Sequence, residues 1–189
     1  LVNTLGNFAY RTLFFARKEF GGIPDTAVQP DILKEIGSTL FQVDSTIRDY
    51  EFKTAIDAMM TLAAYGNNYI QTNAPWKLIK TDRNAAAQAV KDCIVLVRAL
   101  ALLFEPVIPG KAQELWEMLG NTDRIANHRI NEAIQDVSAG PLPIPSPVFS
   151  KLDDDFIGEM DKLLTYRIAE AEKKMVKTVT VPFEEFCKL

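Results

Sequence analysis

Apolar residues recur at three- and four-residue steps along most of the chain, a pattern that predicts helices joined by short breaks. In residues 1–20, Leu5, Phe8, Ala9, Thr12, Phe15 and Ala16 share one broad face, and Gly21-Gly22 supplies the stop. The opposite face carries Asn3, Asn7, Arg11 and Lys18, with Tyr10 and Phe14 beside that row. Ile23-Pro24-Asp25 reads as a turn. A second helix follows Pro30, with Ile32, Ile36, Leu40, Val43 and Ile47 in step, and ends by Asp49-Tyr50. A third carries Phe52, Ile56, Met59, Ala63, Gly66 and Ile70 along one stripe. Gly66 in that stripe predicts close approach of a neighbouring helix, because glycine otherwise only weakens a helix interior. The third helix should stop near Thr72: Pro75 has no backbone donor and turns Ala74 away from helical geometry. That stop sets Trp76 at the first turn of the next segment, on a rigid corner.

Thr81-Asp82 reads as the N-cap of a long fourth helix. Two apolar stripes run along it, one through Val90, Ile94, Val97, Ala101 and Phe104, the other through Cys93, Leu96, Leu100 and Leu103. A helix apolar on most sides belongs in the middle of a bundle. Pro106 and Pro109 break it, and a short helix containing Trp116 runs to Gly120. Residues 121–138 are less regular, with a helix expected around 131–137. The prolines at 141, 143, 145 and 147 exclude helix there. A helix over 153–175 follows, opened by acids and closed by Lys173-Lys174, as the helix dipole favours. The expected fold is an all-α antiparallel bundle of about five core helices, followed by a C-terminal helix and an extended tail. The expected division is a bundle domain over 1–139 and, over 140–189, a Pro-rich connector, helix and tail.

Composition narrows the function more by exclusion than by indication. With 189 residues, 48% hydrophobic and 24% charged, the chain has an ordinary globular profile and can bury a sizeable core. Cys93 lies in an apolar run and reads as a small buried hydrophobe, and neither cysteine has a partner at ligand spacing. No disulfide framework or zinc site is expected, and a reducing, cytoplasmic compartment is the default. The most apolar stretch, 93–104, is short and carries Arg98, so it predicts a buried helix and no membrane span. The chain opens on Leu1 and stops inside the pattern Phe183-Glu184-Glu185-Phe186, which predicts a piece of a longer protein. No catalytic set is present: His128 is the only histidine, with no nucleophile motif, Gly-rich phosphate loop or metal-ligand spacing beside it.

Net charge is −4, yet residues 1–20 sum to +2 and residues 70–100 to +3, against −4 for residues 25–57. A polyanion would approach at the two positive windows, one of which contains Trp76. Ordinary surface charge explains the same numbers. An exposed Trp76 would supply a stacking surface for an unstacked base, and Asn7 and Arg11 would supply edge-directed donors and acceptors. Core packing of Trp76 with solvated Asn7 and Arg11 is the competing reading, and the residue pattern does not choose between them.

Four segments taken together resemble the anticodon-binding domain of methionyl-tRNA synthetases, most closely the archaeal and eukaryotic kind. They are Leu5-Gly6-Asn7-Phe8-Ala9-Tyr10-Arg11, Tyr50-Glu51-Phe52-Lys53, Leu62-Ala63-Ala64-Tyr65-Gly66-Asn67-Asn68-Tyr69 and Ala74-Pro75-Trp76. Leu103-Phe104-Glu105-Pro106 through Trp116 is a looser pattern shared with related class I synthetases, and it marks Trp116 as core. The resemblance thins after about residue 120. Val148-Phe149-Ser150-Lys151 and Thr180-Val181-Pro182-Phe183 look like the connector before an appended oligonucleotide-fold domain. The resemblance implies that Asn7, Arg11 and Trp76 read a CAU anticodon on methionine tRNA, with the tryptophan supporting the first base. Asn3, one turn earlier, is a candidate on geometry only. It also implies that the parent is a methionine–tRNA ligase whose ATP, magnesium and any zinc belong to a catalytic part before Leu1, leaving none in this chain. A helical protein-interaction module, or the anticodon domain of another class I synthetase, remains the alternative.

Overall fold

The computed structural model describes residues 1–150 and 154–175. They fall in two compact units, one running Leu1–Ser150 and the other containing residues 154–175. The first is an all-α bundle. A π-helical turn over Val2–Gly6 leads into α1, Asn7–Phe20. Then come α2 (Pro30–Arg48), α3 (Phe52–Asn73), a single turn α4 (Pro75–Leu78), α5 (Arg83–Phe104) and α6 (Pro109–Met118). The expected tail after residue 175 lies outside the described residues.

The punctuation acts where the sequence places it. Gly21 takes a left-handed φ of 76° and donates its N–H to the Arg17 carbonyl, closing α1. Ala74 stands at φ 40°, ψ 60°, a left-handed geometry that ends α3 abruptly. The proline excludes the right-handed helical region there but favours extended backbone, so the left-handed turn differs from what Pro75 alone predicts. Asp82 caps α5 by accepting from Ala85 N at 2.9 Å. From Ala89 to Phe104 every side chain of α5 is buried, so this helix is the bundle axis. At Gly66, the ring of Phe8 from α1 lies where a side chain would begin. The close approach is by one aromatic ring, not by a whole helix.

Buried polar groups tie the axis to its neighbours. Asp92 on α5 accepts from Tyr69 Oη at 2.7 Å on α3, from Gln29 N at 2.9 Å before α2, and from Gln88 Nε2 at 3.1 Å. Burial raises its pKa despite these donors, and both burial and the bond to Asp92 hold the Tyr69 phenol protonated far above its usual range. Lys91 and Arg98, counted as surface charge in the positive window 70–100, are interior. Lys91 pairs with Asp136 at 3.1 Å, and Arg98 donates to the Glu132 carbonyl at 2.5 Å beneath the Trp116 ring. Only Lys77, Lys80 and Arg83 of that window are exposed.

Residues 121–150 differ most from expectation. The helix expected around 131–137 is absent. Two 3-10 turns, Ile125–Asn127 and Ile130–Ile134, stand there instead: Glu132 caps the start of the second by accepting from the Arg129 N–H, and the backbone turns extended at Gln135. His128, the only histidine of the chain, is bracketed by Asp123 Oδ2 at 2.7 Å and Glu132 Oε2 at 2.8 Å. Its ring rests 4.6 Å from that of Trp116. Gly22–Ile23, expected to be part of a turn, pairs antiparallel with Gly140–Pro141 as a minimal ladder, β1 with β2. Leu142, Pro145 and Val148 then bury themselves on the bundle, so the compact unit extends beyond residue 139 to Ser150.

The second unit holds α7, Asp154–Met175, opened by Asp154 and Asp155. Its apolar residues Ile157, Met160, Leu164 and Ile168 are exposed.

Candidate nucleic-acid interface

Three of the four residues singled out from sequence stand along the polar face of the first helical segment. Asn3 lies in the π-helical turn, where the Gly6 N–H reaches back to the Leu1 carbonyl at 3.0 Å. Asn7 opens α1, and Arg11 follows one turn later. Asn3 and Asn7 are exposed and Arg11 is half-buried. The fourth, Trp76, arrives from α4 and is itself half-buried, with its ring against the core. The two segments meet: the Arg11 guanidinium carbon sits 5.4 Å from the centroid of the Trp76 ring. That is cation–π distance, worth about 0.5–1 kcal/mol at an exposed site.

Arg11 is held there by one further bond, donated from Nη2 to Gln71 Oε1 at 3.1 Å on the exposed last turn of α3. Gln71 carries no signal in sequence that would single it out. It is one turn before the proline-enforced stop that places Trp76, so the same break positions both partners of Arg11. The indole is therefore fixed by core packing on one side, and its accessible face is shared with a guanidinium that a weak exposed bond retains. Lys77 and Lys80, next to Trp76, point a modest positive charge outward, and Arg83 closes on the Phe20 ring at 4.9 Å while donating to the Glu19 carbonyl at 2.7 Å. Asn7 also borders a cleft of about 440 Å³ whose other lining includes Asn3, Tyr10 and residues 147–149. Nothing local in residues 147–149 foretells that closure.

Other sites fit less well. A larger groove of about 720 Å³ lies along α2 and residues 129–134, lined by Leu40, Phe41, Ile130 and Ile134. Its Arg48 is engaged by Asp44 at 2.9 Å, and exposed Arg129 also lines it. Among the described residues no group of His, Cys, Asp and Glu is arranged to hold a metal ion, and no helix is long and apolar enough to cross a membrane.

A family model described as the anticodon binding domain of methionyl tRNA ligase matches residues 22–173. The chain belongs to this family. Methionine–tRNA ligases of Methanoregula boonei and Methanoculleus marisnigri are 53% and 50% identical to it, over 100% of this chain but only 28% and 29% of their own lengths. Among solved structures, the apo methionyl-tRNA synthetase of Mycobacterium tuberculosis aligns with a TM-score of 0.67 at 26% identity, covering 81% of this chain and 32% of that one. The same enzyme bound by methionyl-adenylate aligns with a TM-score of 0.66 at 25% identity, covering 79% of this chain and 31% of that one. This anticodon-binding domain thus spans less than a third of the curated relatives it matches. Trp76 lies inside the segment matched by the family model, whereas Asn3, Asn7 and Arg11 precede it and fall within the full-length matches to the two ligases.

Proposed function

We propose that this domain reads the CAU anticodon of methionine tRNA, with Trp76 as the stacking surface for the first base and Asn7, Arg11 and Asn3 as edge-directed groups. The observation that carries the reading is the meeting of Arg11 with Trp76 across two segments far apart in sequence. A base stacked on the indole takes the place of the guanidinium, which leaves the ring and turns to the base edge. The Gln71 bond that it gives up is exposed, and such a bond is worth about 0.5–1.5 kcal/mol net. Arg and Asn suit the base edge because one presents a planar fork of donors and the other both donates and accepts. Exposed Lys77 and Lys80 add a local positive field for the loop phosphates on a chain whose net charge is −4.

In this reading the parent protein is a methionine–tRNA ligase. Its ATP, magnesium and any zinc belong to the rest of the length seen in the relatives, of which this chain covers 28% and 29%, and an oligonucleotide-fold module after this domain is a further expected neighbour. Methionyl transfer belongs to that whole, and the residues of this domain supply recognition only.

Trp76→Ala should weaken binding of a CAU anticodon stem-loop by ~1–3 kcal/mol, the usual worth of one base–aromatic stack, with the helical circular dichroism unchanged. Loss of the helical signal in that variant would assign the ring to the core. Exchanging CAU for another triplet should weaken the wild type more than Arg11→Ala, and an equal loss in both removes Arg11 from base reading.

A further inference from the structure

Trp76, the surface for the first base, does not line the cleft beside Asn7. The cleft encloses about 440 Å³ between the start of the first helical segment and residues 147–149. Pockets that take small organic molecules span roughly 300–1,000 Å³. Two aromatic rings shape it. Phe149 closes on the Gly6 backbone so tightly that an added Cβ would stand 2.8 Å from its Cδ2. Half-buried Tyr10 borders the cleft and stacks with Phe14, which does not line it, at 5.7 Å and 28°. Asn3 and Asn7 contribute exposed amides, and no other side chain or carbonyl among the described residues engages either one. No lysine or arginine lines the cleft, so its chemistry suits an uncharged base edge and not a phosphate.

Its position relative to Trp76 follows from helix geometry. Tyr10 and Arg11 are consecutive on α1 and therefore point roughly 100° apart around its axis. Arg11 turns to Trp76, and Tyr10 turns to the cleft. Asn7, one turn before them, lies between the two. A strand splayed over α1 would thus meet one ring on each side of Asn7. Splayed bases of a single strand are each taken on a ring of their own and read at their edges.

We propose that this cleft is a second base slot, holding the nucleobase next to the one on Trp76, with Tyr10 as its stacking surface and the Asn3 and Asn7 amides at its edge. The proposal rests on the anticodon reading above. It favours adenine, whose adjacent acceptor and amino group match a carboxamide in a bidentate pair.

The test uses the full chain and a CAU stem-loop in which 8-vinyladenine, a fluorescent base that keeps the 6-amino group and N7 of adenine, replaces the second anticodon base. Stacking on Tyr10 quenches the fluorescence of that base. Wild type should quench it, Tyr10→Phe should keep the quenching, and Tyr10→Leu should lose it and bind at least about 5-fold more weakly. Asn3→Ala, which alters an exposed side chain, should narrow the preference for adenine over guanine at that position. Absence of quenching in wild type overturns the slot without any variant, as does undiminished quenching in Tyr10→Leu. The two readings fail separately. If Trp76→Ala weakens binding while Tyr10→Leu changes nothing, only the second slot is lost. If wild type shows no preference for CAU, the anticodon reading falls and the slot with it.

Discussion

At Gly66 the Phe8 ring leaves room for a hydrogen and nothing larger: an added Cβ would stand 2.4 Å from Cζ and 2.5 Å from Cε1. Alanine at this position would gain roughly 1 kcal/mol of helix propensity. Overpacking a closed core costs about 1–3 kcal/mol, so the clash should win. Gly66→Ala is therefore expected to lower the urea midpoint, and Phe8→Leu in the same chain should recover part of the loss by removing the ring. Additive losses in the double variant would show that the two sites do not touch in the way described. The consequence reaches the candidate interface, because Phe8 precedes Arg11 by three residues and fixes the rotation of α1 that aims Arg11 at Trp76. Residue-level punctuation has the same reach at Pro75, which follows the left-handed Ala74 at the end of α3 and sets the tryptophan in place.

At the scale of elements, the segment from Asp123 to Glu132 is held by charge where it lacks the regular bonding of a helix. The Glu132 and Asp123 carboxylates on either side of the imidazole raise the His128 pKa. The Arg129 N–H and then His128 lower Glu132, while the Trp116 indole N–H and then His128 lower Asp123. Because the folded His128 pKa is raised, its stabilising contribution is complete below the ordinary histidine value and is lost as pH rises through the raised one. For the two carboxylates the sign is opposite, and their contribution is lost as pH falls through their lowered values. The bracket is thus tightest between the two ranges. Between roughly pH 6 and 8.5, the melting temperature of the wild type should fall more steeply than that of His128→Gln. Parallel profiles would mean that the imidazole keeps its charge, or lacks it, equally in the folded and unfolded chain.

Across the whole bundle, closure depends on segments that have no periodic pattern of their own. Leu142 and Val148 are 1% and 3% exposed, and Arg17 reaches the Leu142 carbonyl, so residues 140–150 act as a strap over α1 and α6. Fully burying one aliphatic side chain is worth about 1.5–3 kcal/mol, an upper figure since the unfolded chain also buries some surface. A chain ended after residue 139 should accordingly unfold at clearly lower urea than one ended after Ser150. Equal midpoints would reduce the strap to decoration. The strap also carries Phe149 to the cleft beside Asn7, which makes closure of the bundle and the second base slot one structural event.

What the sequence by itself determined is local and periodic. The stripes through Ile32, Ile36 and Val43 and along α5, the stops at Gly21 and Pro75, and the cap at Asp82 act over one or two turns of chain, where steric rules and the helical repeat decide the outcome. The polar row Asn3, Asn7 and Arg11 and the tryptophan corner were legible for the same reason. Only the tertiary structure decided which of these surfaces meet. Arg11 and Trp76 converge because the Phe8 ring of α1 seats against Gly66 of α3, a contact that neither segment encodes alone. Lys91 and Arg98 leave the surface because partners at Asp136 and Glu132, more than thirty residues away, offset the cost of burying a charge. The helix expected around 131–137 gives way to 3-10 turns in a segment where His128 bridges Asp123 and Glu132 and the chain turns extended at Gln135. Periodicity reports which side of a helix is buried, and long-range packing alone determines what lies against it.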